Sequence, residues 1–301
     1  MVTDAAYARC LYLARQHYEN FPVASRLLPA AARPHIAAVY AFARIADDFA
    51  DEGDRPAAAR LALLDDWRRR LQEAVAGTPP ADRSDAAGIF VAVGDTIRRF
   101  DLDPRLFEDL LSAFRQDVLT HRYETWDDLF DYCRRSANPV GRIVLRISGY
   151  RDARLDAWSD QVCTALQLVN FWQDLAVDLR KGRLYVPLEL IRATGADIDD
   201  LRRGRITSSW RDALMDASDR TRECFDRGRP VADAVRGRLR WELRATWLGG
   251  VRILDRLAAA GFDVFKSRPT LGWRDAGLIG LRAVAWRRSS GTDGATPSFV
   301  P

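Results

Sequence analysis

Two segments of the chain carry polar side chains at helical spacing, and each segment ends in a pair of aspartates four residues apart. In the first segment, HIAAVYAFARIADDFAD, the polar positions are Tyr40, Arg44, Asp47 and Asp51, which we call the first stripe. In the second segment, VCTALQLVNFWQDLAVDLRKGRLYVP, they are Gln167, Asn170, Asp174 and Asp178, the second stripe. Residues three and four apart lie on one face of an α-helix. The sequence therefore predicts two helices with one polar stripe each.

The two stripes run through helices that are otherwise apolar. Ile36, Val39 and Phe42 flank the first stripe, and Phe171 and Trp172 flank the second. Most of each helix should therefore be buried, and burying an ionised carboxylate costs roughly several kcal/mol unless its charge is compensated. Arginines from neighbouring helices would provide one form of compensation. Alternatively, the second aspartate of each pair lies near a solvated helix end.

A divalent cation is the third way to compensate these aspartates. One Asp-x-x-x-Asp pair is weak evidence in a chain so rich in aspartate, but two pairs on similar helices form a pattern. Oxygen ligands suit Mg²⁺, which is usually held by one or two carboxylates together with substrate phosphates. Two facing pairs would grip a diphosphate through bridging ions. The predicted chemistry is Mg²⁺-assisted ionisation of an allylic or cyclopropylcarbinyl diphosphate.

The elements that position these stripes are predicted to be helices throughout. Apolar residues recur at helical spacing along most of the chain, which indicates an all-α fold of about ten helices. Pro34, Pro56 and Pro104 mark helix starts. The segment AGTPPADRSDAAG, residues 76–88, is predicted to be a loop, and the polar, Gly- and Pro-rich tail over 289–301 is predicted to be disordered.

Composition excludes several classes of function. The net charge of +4 is mild, and the arginines are scattered among acidic residues, so no nucleic-acid partner is expected. The four cysteines are too far apart for a zinc or disulfide motif. No Gly-x-Gly-x-x-Gly turn follows a strand, so no NADPH is expected. The chain lacks a secretion signal and an apolar span of about twenty residues, which predicts a cytoplasmic protein.

Two further motifs accompany the stripes, YCRRSANPVG from Tyr132 to Gly141 and GRLYVP from Gly182 to Pro187. Together with both Asp-rich helices, they make the sequence resemble the squalene and phytoene synthase family over most of its length. The resemblance implies a single-domain isoprenoid-synthase helical bundle over residues 1–288 with a central cavity. It also implies an enzyme that acts on a prenyl diphosphate and holds Mg²⁺ through Asp47, Asp51, Asp174 and Asp178.

The resemblance also implies roles for other residues. The side chains expected to contact the diphosphate are Arg44, Asn170, Arg183 and Tyr185, to which Gln167 is added from the second stripe. Arginine and tyrosine donors suit a diphosphate. Tyr132 and Tyr40 are the candidate catalytic residues, which would stabilise a cation, orient water or steer a proton. The alternative for each tyrosine is a core residue bonded through its hydroxyl.

Two departures from the family pattern bear on the substrate. Family members that join two farnesyl diphosphates usually carry His-Ser near the N-terminus and Arg before the second Asp pair, whereas this chain has His17-Tyr18 and Gln173. With glutamine at position 173, the cation that this arginine would place beside the diphosphate site is lost, which favours a substrate with one diphosphate. The strings ENFPVASRLLP and NFWQDLAVDLRKGRLYVP are similar to those of family members in bacterial hopanoid biosynthesis that act on presqualene diphosphate. The expected reaction is that of a carbon-oxygen lyase. The diphosphate ester ionises, the carbocation rearranges, and water captures the rearranged cation.

Two other functions stay open at this point. One is a condensing synthase that makes presqualene diphosphate, dehydrosqualene or phytoene, and the other is a non-catalytic helical partner that binds prenyl lipids or pathway enzymes. The stretch LGWRDAGLIGLRAVAWRR, from Leu271 to Arg288, places arginines around an apolar helix. It is expected either to rest on an anionic membrane surface, at the inner face of the membrane, or to pack on the bundle.

Overall fold

The computed structural model describes residues 2–16, 27–51, 53–78 and 85–287. In these ranges the chain forms fourteen helices and no strand, and the only extended pairing is one isolated bridge between Arg122 and Leu184. The all-α fold predicted from the apolar spacing is therefore confirmed. None of the helices in these ranges is long and apolar enough to span a bilayer.

The chain divides into two compact units, of which the first comprises residues 1–119 and 139–152. Its helices are α1 (Val2–Gln16), α2 (Arg33–Asp51), α3 (Ala57–Val75), α4 (Asp85–Phe100), α5 (Arg105–Leu119) and most of α7 (Asn138–Ile147). Helix α2 lies at the centre and contacts α1, α3, α4 and α5. Phe42 of α2 packs against the rings of Trp67, Phe90 and Phe107. This aromatic core fixes the buried side of α2.

Among the described residues, the second unit comprises 120–138 and 153–287. Its helices are α6 (Trp126–Ser136), α8 (Ala153–Arg180), α9 (Leu188–Thr194), α10 (Ile198–Arg202), α11 (Ser208–Gly228), α12 (Val231–Ala234), α13 (Gly237–Ala259) and α14 (Trp273–Val284). The long helix α8 packs against α6, α11 and α13. The buried Trp172 indole of α8 donates to Thr221 Oγ1 of α11 at 2.9 Å. These contacts fix the rotation of α8 about its axis.

Two glycines allow the helices of the second unit to approach closely. A Cβ atom at Gly228 would lie 2.6 Å from Val162 Cγ2, and one at Gly250 would lie 2.3 Å from Phe225 Cζ. Real Cβ atoms essentially never come so near another heavy atom. The packing of α11 on α8 and of α13 on α11 therefore depends on the absence of a side chain at these positions.

The three prolines mark helix starts as predicted. Helix α2 begins at Arg33, next to Pro34, while α3 and α5 begin directly after Pro56 and Pro104. The prediction of about ten helices is too low, because short helices of four to seven residues such as α9, α10 and α12 give no periodic signal.

The predicted loop over 76–88 is too long, since α4 already begins at Asp85. Alanine, which occupies positions 86 and 87, is the strongest helix former. His17, Tyr18 and the tail over 289–301 lie outside the described residues. The domain limits and the central cavity stay predictions.

Candidate active site

Helix α2 presents the first stripe along one face, and all four of its side chains are half-buried. Arg44 Nη2 lies 2.6 Å from Asp48 Oδ1, and Arg44 Nη1 lies 3.6 Å from Asp47 Oδ2. One guanidinium therefore lies between two adjacent carboxylates. The small residues Ala46 and Ala50, on the side of the helix next to the stripe, are fully buried. The burial of this side holds the aspartates at the partly solvated surface.

The Asp47 carboxylate lies in a strongly acidic environment. Its pKa is raised to about 7, first by desolvation and then by repulsion from Asp51 and Asp117, while Arg44 lowers it. The side chain still exposes 37% of its surface, so the carboxylate opens to solvent on one side. A bound cation would stabilise the ionised carboxylate against both desolvation and repulsion from the neighbouring aspartates. A site that disfavours ionisation of its own aspartate therefore favours cation binding.

Asp117 of α5 belongs to this acidic group, and the sequence analysis missed it. The residue is 4% exposed, and it follows Leu110 and Phe114 at spacings of four and three on the buried face of α5. An aspartate on an otherwise apolar helix face was a signal for a site near the core. Asp48 was also missed, because it lies one residue outside the first stripe.

Helix α8 presents the second stripe in the same way. Gln167, Asn170, Asp174 and Asp178 are half-buried, while Leu168, Val169, Phe171, Trp172 and Leu175 are buried around them. The sequence prediction that polar stripes run through mostly buried helices is confirmed for both helices. The second stripe, like the first, remains accessible to a ligand.

Arg268, from the segment between α13 and α14, pairs with Asp174 through two hydrogen bonds. Its Nη2 donates to Asp174 Oδ2 at 3.1 Å, and its Nε donates to Oδ1. The neighbouring Gln173 is buried and donates to the Pro269 carbonyl. Gln173 itself therefore brings no charge to the second pair. A residue almost a hundred positions away supplies the cation, which no local pattern indicates.

The segment after α8 holds two of the residues predicted to bind a diphosphate. Leu184 N donates to the His121 carbonyl at 3.0 Å, and Arg122 Nη1 donates to the Gly182 carbonyl at 2.6 Å. Gly182 has a φ of +79°, which a residue with a side chain rarely adopts. Arg183, 6% exposed, donates its backbone N–H to the Asp178 carbonyl at 2.8 Å. The turn thus places the backbone of Arg183, a buried residue, next to the end of the second stripe.

Tyr132 and Tyr185 lie together in a buried aromatic cluster with Phe171 and Tyr123. Tyr185 stacks on Phe171 with a centroid distance of 3.8 Å, and the Tyr132 ring lies 6.0 Å from each of these two rings. Tyr123, the member that the sequence analysis missed, lies 5.6 Å from both Tyr132 and Tyr185. No spacing pattern connects position 123 with the other three, so this cluster follows from tertiary packing alone.

Tyr40 lies at the start of the first stripe, and its pKa is raised above the ordinary value. Desolvation is the main cause, and Asp48 and Asp47 add to it while Arg44 opposes them. The hydroxyl therefore stays protonated at neutral pH and is able to donate a hydrogen bond. It lies on the same helix face as the acidic group.

The donor set of the two stripes consists of carboxylate and amide oxygens, which are the ligands that Mg²⁺ prefers. In the described ranges, no three His, Cys, Asp or Glu side chains are grouped closely enough to hold an ion. Mg²⁺ keeps several waters and is usually held by one or two carboxylates together with phosphate oxygens of a ligand. The aspartate pairs and the raised pKa of Asp47 are therefore consistent with Mg²⁺ that arrives with a diphosphate.

Comparisons with known proteins agree on one family. The model for squalene/phytoene synthase matches residues 14–275. Hydroxysqualene synthase of Zymomonas mobilis is 40% identical over 222 residues, which cover 72% of this chain and 71% of that protein. The 15-cis-phytoene synthase of Synechococcus elongatus is 32% identical over 284 residues, 89% of each chain. The crystal structure of squalene synthase HpnC from Alicyclobacillus acidocaldarius has a TM-score of 0.79 and 40% identity, covering 86% of this chain and 95% of that one.

Proposed function

Because this chain belongs to the squalene/phytoene synthase family, we propose that it acts as a hydroxysqualene synthase. The proposed reaction converts presqualene diphosphate and water into hydroxysqualene and diphosphate. The similarity to a hydroxysqualene synthase is the observation that carries this choice within the family. Both aspartate pairs, on half-buried faces of α2 and α8, support a reaction that begins with the departure of a diphosphate.

Asp47 and Asp51 on α2, and Asp174 and Asp178 on α8, would hold Mg²⁺. The ion would supply the positive charge that stabilises the departing diphosphate. Arg44, Arg183, Tyr185, Asn170 and Gln167 are proposed to donate hydrogen bonds to the diphosphate oxygens. Hydrogen bonds from charged donors are roughly twice as strong as neutral ones, so the two arginines contribute most to this set. Arg268, now paired with Asp174, adds a cation beside the second stripe.

The electron and proton balance of the reaction is simple. The carbon-oxygen bond to the diphosphate breaks, and both electrons leave with the diphosphate. The cyclopropylcarbinyl cation rearranges, a water oxygen forms the new carbon-oxygen bond, and one proton is released. No reductant is consumed. The residues must therefore stabilise a carbocation without trapping it before water arrives.

The buried aromatic cluster of Tyr123, Tyr132, Phe171 and Tyr185 suits this second task. The face of an aromatic ring attracts a cation with about 0.5–2 kcal/mol and forms no bond with it. Tyr185 is stacked on Phe171, whereas the Tyr132 ring is tilted relative to its three neighbours and is not stacked on any of them. We assign Tyr132 to cation stabilisation through its ring. We assign Tyr40 to a hydrogen bond from its protonated hydroxyl near the departing diphosphate.

The reaction is tested with purified protein, Mg²⁺ and isotopically labelled water. With presqualene diphosphate we expect a thirty-carbon alcohol that carries the water oxygen, detected by mass spectrometry. With farnesyl diphosphate alone we expect no coupled product. A coupled product from farnesyl diphosphate would instead identify a condensing synthase. The similarity to a phytoene synthase over most of both chains, and the cation that Arg268 supplies, make that the second candidate.

A control variant separates catalysis from mere binding of prenyl lipids. Replacing Asp47 and Asp174 together by asparagine keeps the size of both side chains but removes two charges from the proposed metal ligands. We expect this double variant to lose Mg²⁺-dependent diphosphate release. Unchanged release would contradict the metal site, and absence of release from both proteins would indicate a non-catalytic binding protein.

A further inference from the structure

Helix α14 exposes large apolar side chains to solvent, as does Leu271, which lies two positions before the helix. Leu271 is 43% exposed, Trp273 81%, Leu281 67% and Val284 72%. These are four of the nine large hydrophobic residues that are exposed in the described ranges, and they fall within fourteen consecutive positions. Scattered exposed hydrophobics are normal on a protein surface, but a continuous group marks a contact surface. We call residues 271–284 the α14 surface.

Contacts at both ends hold the helix in the orientation that exposes its apolar face. At the N-terminal end, the buried Asp275 accepts hydrogen bonds from Arg252 Nε at 2.8 Å and Arg256 Nη2 at 2.6 Å. At the C-terminal end, Trp286 Nε1 donates to Asp233 Oδ1 at 2.9 Å. A helix that merely rested loosely on the bundle would lack such contacts, in particular the pairing of the buried Asp275 with two arginines. The outer face is therefore part of the folded surface.

The charges of the α14 surface are of one sign. The exposed arginines of α14 and the residues after it are Arg274, Arg282 and Arg287, while the only acidic residue of the helix, Asp275, is 2% exposed and paired inward. Gly277 and Gly280 also lie on the exposed side, and a Cβ atom at either would meet no atom within 4 Å. The surface is thus apolar, flanked by cations and free of accessible carboxylates.

We propose that the α14 surface binds an anionic phospholipid bilayer, with the helix lying in the plane of the interface. Tryptophan and arginine are the side chains that lie best at the boundary between acyl chains and headgroups. A helix of twelve residues is too short to cross the bilayer, so α14 inserts its exposed apolar side instead. This interaction goes beyond the proposed reaction and does not depend on it.

A second copy of the chain is a poorer occupant of this surface. In a two-fold symmetric dimer, the same patch meets itself, so Arg274 and Arg282 would approach the arginines of the partner. The surface has no accessible carboxylate to pair with them. Phosphate headgroups provide the missing negative charge, and each arginine near such a membrane raises binding by roughly fivefold.

The test is flotation of the full-length protein with vesicles that contain no substrate. We expect binding to vesicles of equal parts phosphatidylglycerol and phosphatidylcholine, at least about tenfold weaker binding to pure phosphatidylcholine, and weakening by salt. Gly277→Glu places a carboxylate on the apolar face without a steric clash and should reduce binding at least about tenfold. Met215→Glu, at an exposed position of α11, is the matched control and should bind like the wild type.

Several results would overturn the proposal. Absence of binding to anionic vesicles, or equal loss of binding in Gly277→Glu and Met215→Glu, would show that α14 is not a membrane surface. Sedimentation velocity without lipid provides a further check, since a dimer that Gly277→Glu dissociates would identify a second copy as the occupant. Circular dichroism establishes that each variant is folded. Because the vesicles carry no prenyl diphosphate, a failure here says nothing against the proposed reaction.

Discussion

Replacement of Asp47 by asparagine should make the metal-free protein more stable while it lowers activity. Desolvation and the neighbouring aspartates raise the pKa of Asp47 from its ordinary value of 3.8 to about 7. A displacement of that size corresponds to about 4 kcal/mol of unfavourable energy for the ionised form. Since 37% of the side chain is exposed, solvent screens part of this energy. We expect a gain of about 1–2 kcal/mol in the free energy of unfolding.

The gain should depend on pH in a defined direction. Because the pKa is higher in the folded state, the folded protein binds more protons than the unfolded chain between about pH 4 and pH 7. The wild type therefore loses stability from this group as the pH rises through that window. Asparagine does not titrate, so the advantage of Asp47→Asn should be absent near about pH 4 and complete near about pH 8.

Thermal unfolding in EDTA measures this effect. At about pH 8, Asp47→Asn should melt about 2–5 °C above the wild type. Asp66→Asn, in the same unit, is a control for which we expect the opposite change in stability. Although desolvation raises the pKa of Asp66, hydrogen bonds from Arg69 and Arg70 lower it overall, so this variant should be the less stable one above about pH 4.

Activity supplies the second half of the test. Loss of one carboxylate that we propose to hold Mg²⁺ should reduce kcat/KM by roughly a hundredfold to a thousandfold, as for other groups that stabilise developing charge. A variant that is more stable without metal and less active with Mg²⁺ is typical of a site built for a cation. If Asp47→Asn melts below the wild type at about pH 8, or if its advantage does not change with pH, the acidic environment described for Asp47 is wrong.

Three further variants test the second unit. Arg268→Gln removes the cation beside Asp174 and should raise KM for the diphosphate substrate about tenfold in steady-state kinetics. Tyr132→Phe should keep most of kcat and Tyr132→Leu should lose roughly ten- to thirtyfold at similar KM, since the ring face is the proposed contribution. Gly250→Ala should cost about 1–3 kcal/mol in denaturant unfolding because its Cβ would overlap a phenyl ring, whereas Gly277→Ala should be neutral or stabilising.

The amino-acid sequence by itself determined the helices and the two polar stripes. Helical spacing is a local property, so Asp47 and Asp51 necessarily share a face of α2 once the helix forms, and Asp174 and Asp178 share one of α8. The same local rule placed helix starts beside the prolines. Short helices gave no signal, because four to seven residues are too few to display a period.

Only the tertiary structure decided which distant residues complete each stripe. Asp117 joins the first stripe because α5 packs on α2, and Arg268 reaches Asp174 from a segment more than ninety residues later. The aromatic cluster around Tyr132 arises in the same way. Such contacts depend on how helices are rotated and packed, which apolar volume and close glycine contacts determine. The aspartate pairs were therefore readable from spacing, while their electrostatic environment followed from packing.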